Sequence, residues 1–170
     1  MGLALTIIMY VIFFIFQALY IFVPLLTVKG THSKNNPSHK EQGLSVLIPA
    51  YNEAAVIKNC IQGILHVDYK RYEVMIINDG STDQSMELLT SILDLQKCKK
   101  NKANKLKHKE IKGIYQSARF NQIYVIDKEN GGKADSLNAG IEYAAYDTII
   151  TLDADSSLAV NSLKEINNAF

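Results

Sequence analysis

The sequence is poor in the residues that usually carry metal or redox chemistry. Its two cysteines, Cys60 and Cys98, lie far apart and form no C-x-x-C pair, which excludes a zinc ribbon or a thioredoxin-type motif and agrees with a reducing compartment. Cys60 reads as a small core residue. The four histidines, His32, His39, His66 and His108, are scattered without H-E-x-x-H spacing, so each reads as a solvated or packing side chain. A Walker pattern G-x-x-x-x-G-K-[ST] is missing, as are internal repeats and low-complexity tracts. Formal charge is absent from Leu3 to Leu26. What remains is 170 residues with 48% hydrophobic and 21% charged side chains and a net charge of +1, which excludes a disordered chain and leaves room for one ordinary globular domain.

The charge-free run is rich in Ile, Leu, Val and Phe and exceeds the roughly 20 residues that cross a bilayer as a helix. It has no basic start and no small-x-small cleavage site, and it is long for the apolar part of a signal peptide. Residues 1–28 therefore read as a transmembrane helix in the cell membrane. Lys29, Lys34 and Lys40 follow it and no basic residue precedes it, which places the downstream part in the cytoplasm. The start MGLALT also fits the N-myristoylation pattern, an anchor that a spanning helix makes redundant. Residues 29–42, KGTHSKNNPSHKEQ, read as a linker.

From residue 43 the pattern alternates. The apolar runs Leu44–Ile48, Glu73–Asn78, Asn121–Asp127 and Thr148–Leu152 read as strands. Between and after them, helical spacing predicts a helix capped by Asn52 with Val56, Ile57, Cys60, Ile61, Ile64 and Leu65 on its apolar side. Further helices follow at about 83–95, 133–145 and from 161 onwards. Such a series predicts a mostly parallel α/β sheet with helices on both faces. Residues 97–120 interrupt it as a basic insertion, with eight lysines against Glu110 between Lys97 and Lys112. It reads as a solvated surface excursion near anionic headgroups; few aromatics are interleaved, and no nucleic-acid partner is expected.

Polar motifs stand at the carboxyl end of each predicted strand, the edge where open α/β sheets bind ligands. PAYNE follows the first strand, NDGSTD the second, ENGGKAD the third and DADSS the fourth. In NDGSTD, Asp79 is suited to accept hydrogen bonds from a base or ribose, with Ser81 or Thr82 as a helix cap. ENGGKAD offers free N–H groups at a helix start, with Lys133 adding charge for a diphosphate. Asp153 and Asp155 are one residue apart and, in an extended strand, project the same way toward one hard cation. A polar strand-end turn is the plain alternative, and LDADSS also superficially matches an aspartyl-phosphatase motif, which normally opens its domain rather than following three strand-and-loop units.

IPAYNEAAVIKNCI, VMIINDGSTDQS, ENGGKADSLNAGI and ITLDADSS resemble, in this order, the motifs of family-two glycosyltransferases. They are most similar to the membrane-bound processive branch of poly-N-acetylglucosamine, hyaluronan and cellulose synthases. The resemblance covers residues 43–170 and implies a GT-A fold that binds a UDP-sugar. It implies that Pro49, Tyr51 and Glu53 line the uridine pocket, that Asp79 contacts uracil, and that Lys133 and Asp135 lie beside the diphosphate and donor. Asp153 near the ribose and donor sugar, and Asp155 as metal ligand, would hold magnesium or manganese.

Family members continue beyond this point into an acceptor half with a catalytic aspartate and, in processive synthases, a Q-x-x-R-W motif. This chain contains no tryptophan. The general base is expected beyond Phe170, so the chain reads as truncated before the acceptor half. The resemblance implies an inverting transferase that makes a β-linked surface polysaccharide from UDP-N-acetylglucosamine, with a saccharide acceptor and accessory synthase subunits as partners. The alternative is a membrane-anchored nucleotide-sugar-binding fragment or subunit without catalysis.

Overall fold

The computed structural model describes residues 2–27, 41–102 and 105–169. Residues 28–40, with most of the expected linker and Lys29, Lys34, Lys40, His32 and His39, lie outside the described residues. The chain divides into two units. The first holds α1 (Gly2–Thr27), of which Gly2–Val23 is long and apolar enough to cross a membrane and buries none of its side chains in protein. A helix apolar all round is of the kind that a large core or a bilayer buries.

The second unit contains β1 (Leu44–Ala50), α2 (Ile57–Leu65), β2 (Tyr72–Asp79), α3 (Ser85–Leu93), β3 (Leu95–Lys97), β4 (Ile111–Ser117), β5 (Ile123–Lys128), α4 (Lys133–Tyr143), β6 (Thr148–Thr151) and α5 (Ser162–Asn168). They build one six-stranded sheet in the order β3-β4-β5-β2-β1-β6. Strands β5, β2, β1 and β6 are parallel; β4 and β3 are added antiparallel at one edge. The parallel strands fall on the four apolar runs. Strand β4 lies within the lysine-rich stretch that reads as a surface excursion, and takes a place in the sheet because Ile114 packs on one face and Tyr115 on the other.

Alternation along the strands divides the core into two layers. Val46, Ile48, Val74, Ile76, Ile123 and Val125 face α2, α3 and α5, which contribute Ile57, Ile61, Leu89 and Leu163. Leu47, Met75, Ile77 and Ile126 face α4 through Leu137, Ile141 and Tyr143. Helix α4 lies close to the sheet because Gly140 has no side chain; a Cβ there would stand 3.0 Å from Leu47 Cδ1. Asn52 does not cap α2: it adopts φ +58°, and α2 begins at Ile57 without a side-chain cap.

At the carboxyl edge of the sheet, β2, β5 and α4 meet on one lysine. Lys128 is fully buried, and its ammonium lies 2.6 Å from Asp79 Oδ1 and 2.6 Å from Asp135 Oδ1 while donating to Glu129 O at 2.6 Å. Burial alone would lower the lysine pKa, but Asp135 and Asp79 outweigh it and raise it. Burial would likewise raise both carboxyls; Lys128, with the N–H groups of Gly131 and Gly132 on Asp79 and of Lys109 on Asp135, brings both below the ordinary carboxylate range. The charged triad therefore contributes stability above the unfolded carboxyl pKa of about 3.9, and that contribution is lost as pH falls through the depressed folded values.

Two outcomes are expected. Ile76→Ala, in the middle of β2, lowers unfolding free energy by about 2–5 kcal/mol in urea denaturation followed by circular dichroism. Lys128→Met strands two carboxylates and costs about 3–5 kcal/mol near neutral pH. The deficit shrinks as the solution is acidified and one carboxyl takes a proton; a deficit independent of pH would contradict the ionic account.

Candidate active site

The ends of β1, β2 and β6 and the start of α4 enclose an open cavity of about 510 Å³. Seven of the eight residues singled out in the sequence line it: Pro49, Tyr51, Glu53, Asp79, Lys133, Asp153 and Asp155. The cavity lies at the carboxyl edge of the parallel strands, as open α/β sheets require. Asp135 is not among the lining residues. Its carboxylate faces Lys128 at 2.6 Å and accepts the Lys109 N–H at 3.0 Å, which sets it against the cavity floor.

The wall after β1 is held by the turn after β2. Asn52 Oδ1 accepts the N–H groups of Thr82 at 2.8 Å and Asp83 at 3.3 Å, and Ser81 Oγ accepts the Asn52 N–H at 3.0 Å. Ser85 Oγ and Asp83 Oδ2 accept from the N–H groups of Glu53 and Ala54. PAYNE and NDGSTD are thus one stapled unit that leaves Tyr51 48% exposed at the cavity. The first turn of α3 is supported by Asp83, which accepts the Ser85 N–H at 2.9 Å, rather than by Ser81 or Thr82. The Ser85 hydroxyl and this N–H hold the Asp83 carboxyl below its ordinary value.

The floor is built on Asp79. Besides Lys128, its carboxylate accepts Gly131 N–H at 3.0 Å and Gly132 N–H at 2.7 Å, and its carbonyl accepts Asn130 Nδ2 at 2.9 Å. Gly80 permits this approach: it adopts φ +66°, and a Cβ would stand 2.7 Å from Asn130 N. Two N–H groups that the sequence offers to an anion are therefore already given to Asp79. Lys133 and the unpaired N–H groups of the first turn of α4 remain for one.

The paired aspartates stand just beyond the strand. Strand β6 ends at Thr151, and Asp153 and Asp155 occupy a turn closed by Ser156 N–H on Asp153 O at 3.0 Å. Ala154 is buried and packs into the core, which leaves the flanking carboxylates exposed at the same cavity. Lys133 forms an ion pair with Asp153 in which both side chains are about 60% exposed, so little energy is needed to open it. Burial, with a smaller push from the Asp155 charge, raises the Cys60 thiol to about 11, in keeping with a packing role.

Two adjacent hard carboxylates suit magnesium or manganese, which bind through one or two carboxylates together with substrate phosphates and water. Among the described residues no group of three or more His, Cys, Asp or Glu side chains is gathered for a metal. The donor set fits an ion shared with a diphosphate, not a closed protein cage. Sequence reasoning passed over Asn130, Ser136 and Lys128. Asn130 and Ser136 flank GGKAD within the same stretch, whereas Lys128 shows only as a charge ending an apolar strand.

Comparison with known proteins shows the family and the fold. Residues 45–170 match the model of Glycosyl transferase family 2. Poly-beta-1,6-N-acetyl-D-glucosamine synthase of Staphylococcus aureus (strain COL) is 34% identical over 116 residues, covering 68% of this chain and 22% of the relative. The Staphylococcus epidermidis synthase of the same name is 30% identical over 133 residues, covering 78% of this chain and 25% of the relative. The chain thus spans about a quarter of the length of these curated relatives. Among solved structures, S. aureus TarS 1-349 in complex with UDP-GlcNAc superimposes with TM-score 0.54 at 18% identity, over 74% of this chain and 30% of that one. Mannosyltransferase PcManGT from Pyrobaculum calidifontis in complex with GDP-Man and Mn2+ gives TM-score 0.56 at 20% identity, over 76% and 32%. These likenesses show the fold, which is of the GT-A type. With the stapled rim, the paired aspartates and the match over 45–170 all in one unit, the chain belongs to glycosyl transferase family 2.

Proposed function

We propose that the chain supplies the donor- and metal-binding half of an inverting glycosyltransferase that uses a UDP-sugar, UDP-N-acetylglucosamine, to build a β-linked surface polysaccharide. Helix α1 anchors it in the cell membrane with the globular unit on the cytoplasmic side, where the donor is made and an acceptor saccharide and accessory subunits meet it. The observation that carries this reading is the convergence of Tyr51, Asp79, Lys133, Asp153 and Asp155 from four chain segments on one cavity.

In this reading Pro49, Tyr51 and Glu53 take the uridine, with the exposed Tyr51 ring against the base. Asp79 reaches the uracil edge with acceptor capacity left beyond its internal bonds. Lys133 leaves Asp153 for the diphosphate, an exchange of one exposed ion pair for a stronger contact. Asp153 then turns to the ribose and donor sugar, and Asp155 is the principal metal ligand. A divalent ion held there supplies Lewis-acid neutralisation of the departing diphosphate. Asp135 acts indirectly, by holding Lys128 under the floor.

Calorimetric titration with UDP, with and without manganese, tests the donor site. Binding is expected to require manganese, and Asp155→Asn is expected to weaken it at least about tenfold, or about 1.4 kcal/mol. Binding that ignores both the metal and the substitution would count decisively against the assignment. Tyr51→Ala is expected to weaken UDP binding by about 1–3 kcal/mol through loss of stacking, with unchanged circular dichroism.

A further inference from the structure

The lysine-rich segment between β3 and β4 has no part in the proposed donor site, yet it is not a loose basic loop. Buried carboxylates fix it. Lys100 bonds Glu73 at 2.7 Å and stands 4.2 Å from the centre of the Tyr124 ring. Lys102 bonds Glu142 at 2.8 Å, and His108 bonds the other oxygen of the same carboxylate. Glu142 is almost fully buried; burial would raise its carboxyl, but Lys102 and His108 bring it below the ordinary range. Asn138 Nδ2 donates to Lys107 O at 3.0 Å, and Asp135 accepts the Lys109 N–H. Lys102 and His108 meet Glu142, Lys107 meets Asn138 and Lys109 meets Asp135, so the described residues of the strap lie along α4.

This strap presents charge outward. Lys99, Lys105, Lys107 and Lys109 are exposed, and among the described residues none has a carboxylate partner. Leu106, 38% exposed, lies among them, and Glu110 is the single acid between Lys97 and Lys112. Ordering a polar strap consumes conformational entropy, and burying carboxylates to do so carries a desolvation cost. A segment with no partner has no need of either.

We infer that the strap along α4 is a docking surface for an anionic lipid leaflet, with Lys99, Lys105, Lys107 and Lys109 meeting the headgroups and Leu106 the acyl boundary. The inference rests on the membrane-anchored part of the proposed function and not on the donor site. Three observations favour lipid over nucleic acid. The exposed strap residues include no aromatic ring on which a base would stack. The chain carries a helix long enough to cross a membrane. Residues 28–40 span at most about 45 Å of chain, so an anchored globular unit stays near a lipid surface at high effective concentration.

The test uses the full chain in bilayer discs of phosphatidylcholine alone or with one third phosphatidylglycerol, and reads acetylation of individual lysines by mass spectrometry. Lys58, on α2 across the sheet, is the internal reference. Each lysine near an anionic surface multiplies the docked population by about fivefold. Labelling of Lys105, Lys107 and Lys109 is expected to slow at least about fivefold in anionic discs, to recover at high salt, and to leave Lys58 unchanged. In Lys105→Gln/Lys107→Gln/Lys109→Gln the protection of Lys99 is expected to disappear.

Equal labelling in both discs, equal slowing at Lys58, or protection by added RNA but not by phosphatidylglycerol would overturn the inference. Should the triple variant not fold, the wild-type comparison decides alone. A chain that alkaline carbonate strips from the discs would instead show that the anchoring reading has failed.

Discussion

The site depends on one buried cation. Lys128 ends β5 where water cannot reach it, and the two carboxylates that keep it charged come from β2 and from α4. Remove the lysine and Asp79 and Asp135 oppose one another; remove either carboxylate and a lysine is left under-compensated in the core. Such an arrangement contributes less to net stability than its Coulomb attraction suggests, because all three groups were solvated before folding. Its larger effect is on position. The Asp79 carboxylate that holds Lys128 also collects the N–H groups of Gly131 and Gly132, so the start of α4 cannot shift without disturbing the triad.

The same economy runs around the rim. No wall of the cavity is held by its own strand alone: the loop after β1 is fixed by side chains of the turn after β2, and that turn is fixed against the loop after β5 by Gly80 and Asn130. Asp153 and Asp155 are placed differently, by the burial of Ala154 between them. The floor and one wall are therefore rigid through hydrogen bonds, while Lys133 and the paired aspartates remain exposed and able to exchange partners. That division suits a site whose floor sets geometry and whose charged side chains answer a ligand.

What was legible in the sequence was local. Apolar runs ending in short polar motifs marked the four parallel strands and the edge where the cavity lies, and seven site residues could be named because each sits in such a motif. What was not legible depends on partners distant in the chain. Asn52 looks like a helix cap until the donors to its Oδ1, the N–H groups of Thr82 and Asp83, are brought to it by the turn after β2. Asp135, which its motif sets close to Lys133, is turned to Lys128, a charge that an apolar strand would not be expected to bury. Strand β4 was hidden for another reason: IKGIYQS has too few apolar residues to announce itself beside eight lysines, and pairs with β5 on one side and β3 on the other while Ile114 and Tyr115 pack on opposite faces.

The two faces of the sheet are closed by different physics. On one, α2, α3 and α5 supply an apolar layer; on the other, α4 leaves part of the sheet to the basic strap, and Glu73 and Glu142 replace hydrophobic contact by ion pairs. Apolar burial is not screened by salt, whereas a partly exposed pair such as Lys102–Glu142 is. The α4 side is thus the more responsive to ionic surroundings. Asp135 belongs to this side through the Lys109 N–H and to the cavity floor through Lys128, so one carboxylate joins the basic surface to the ground on which the cavity stands. A displacement of the strap at Lys109 has a short mechanical route to Gly132 and Lys133: through Asp135 to Lys128, and through Lys128 to the Asp79 carboxylate that fixes the loop.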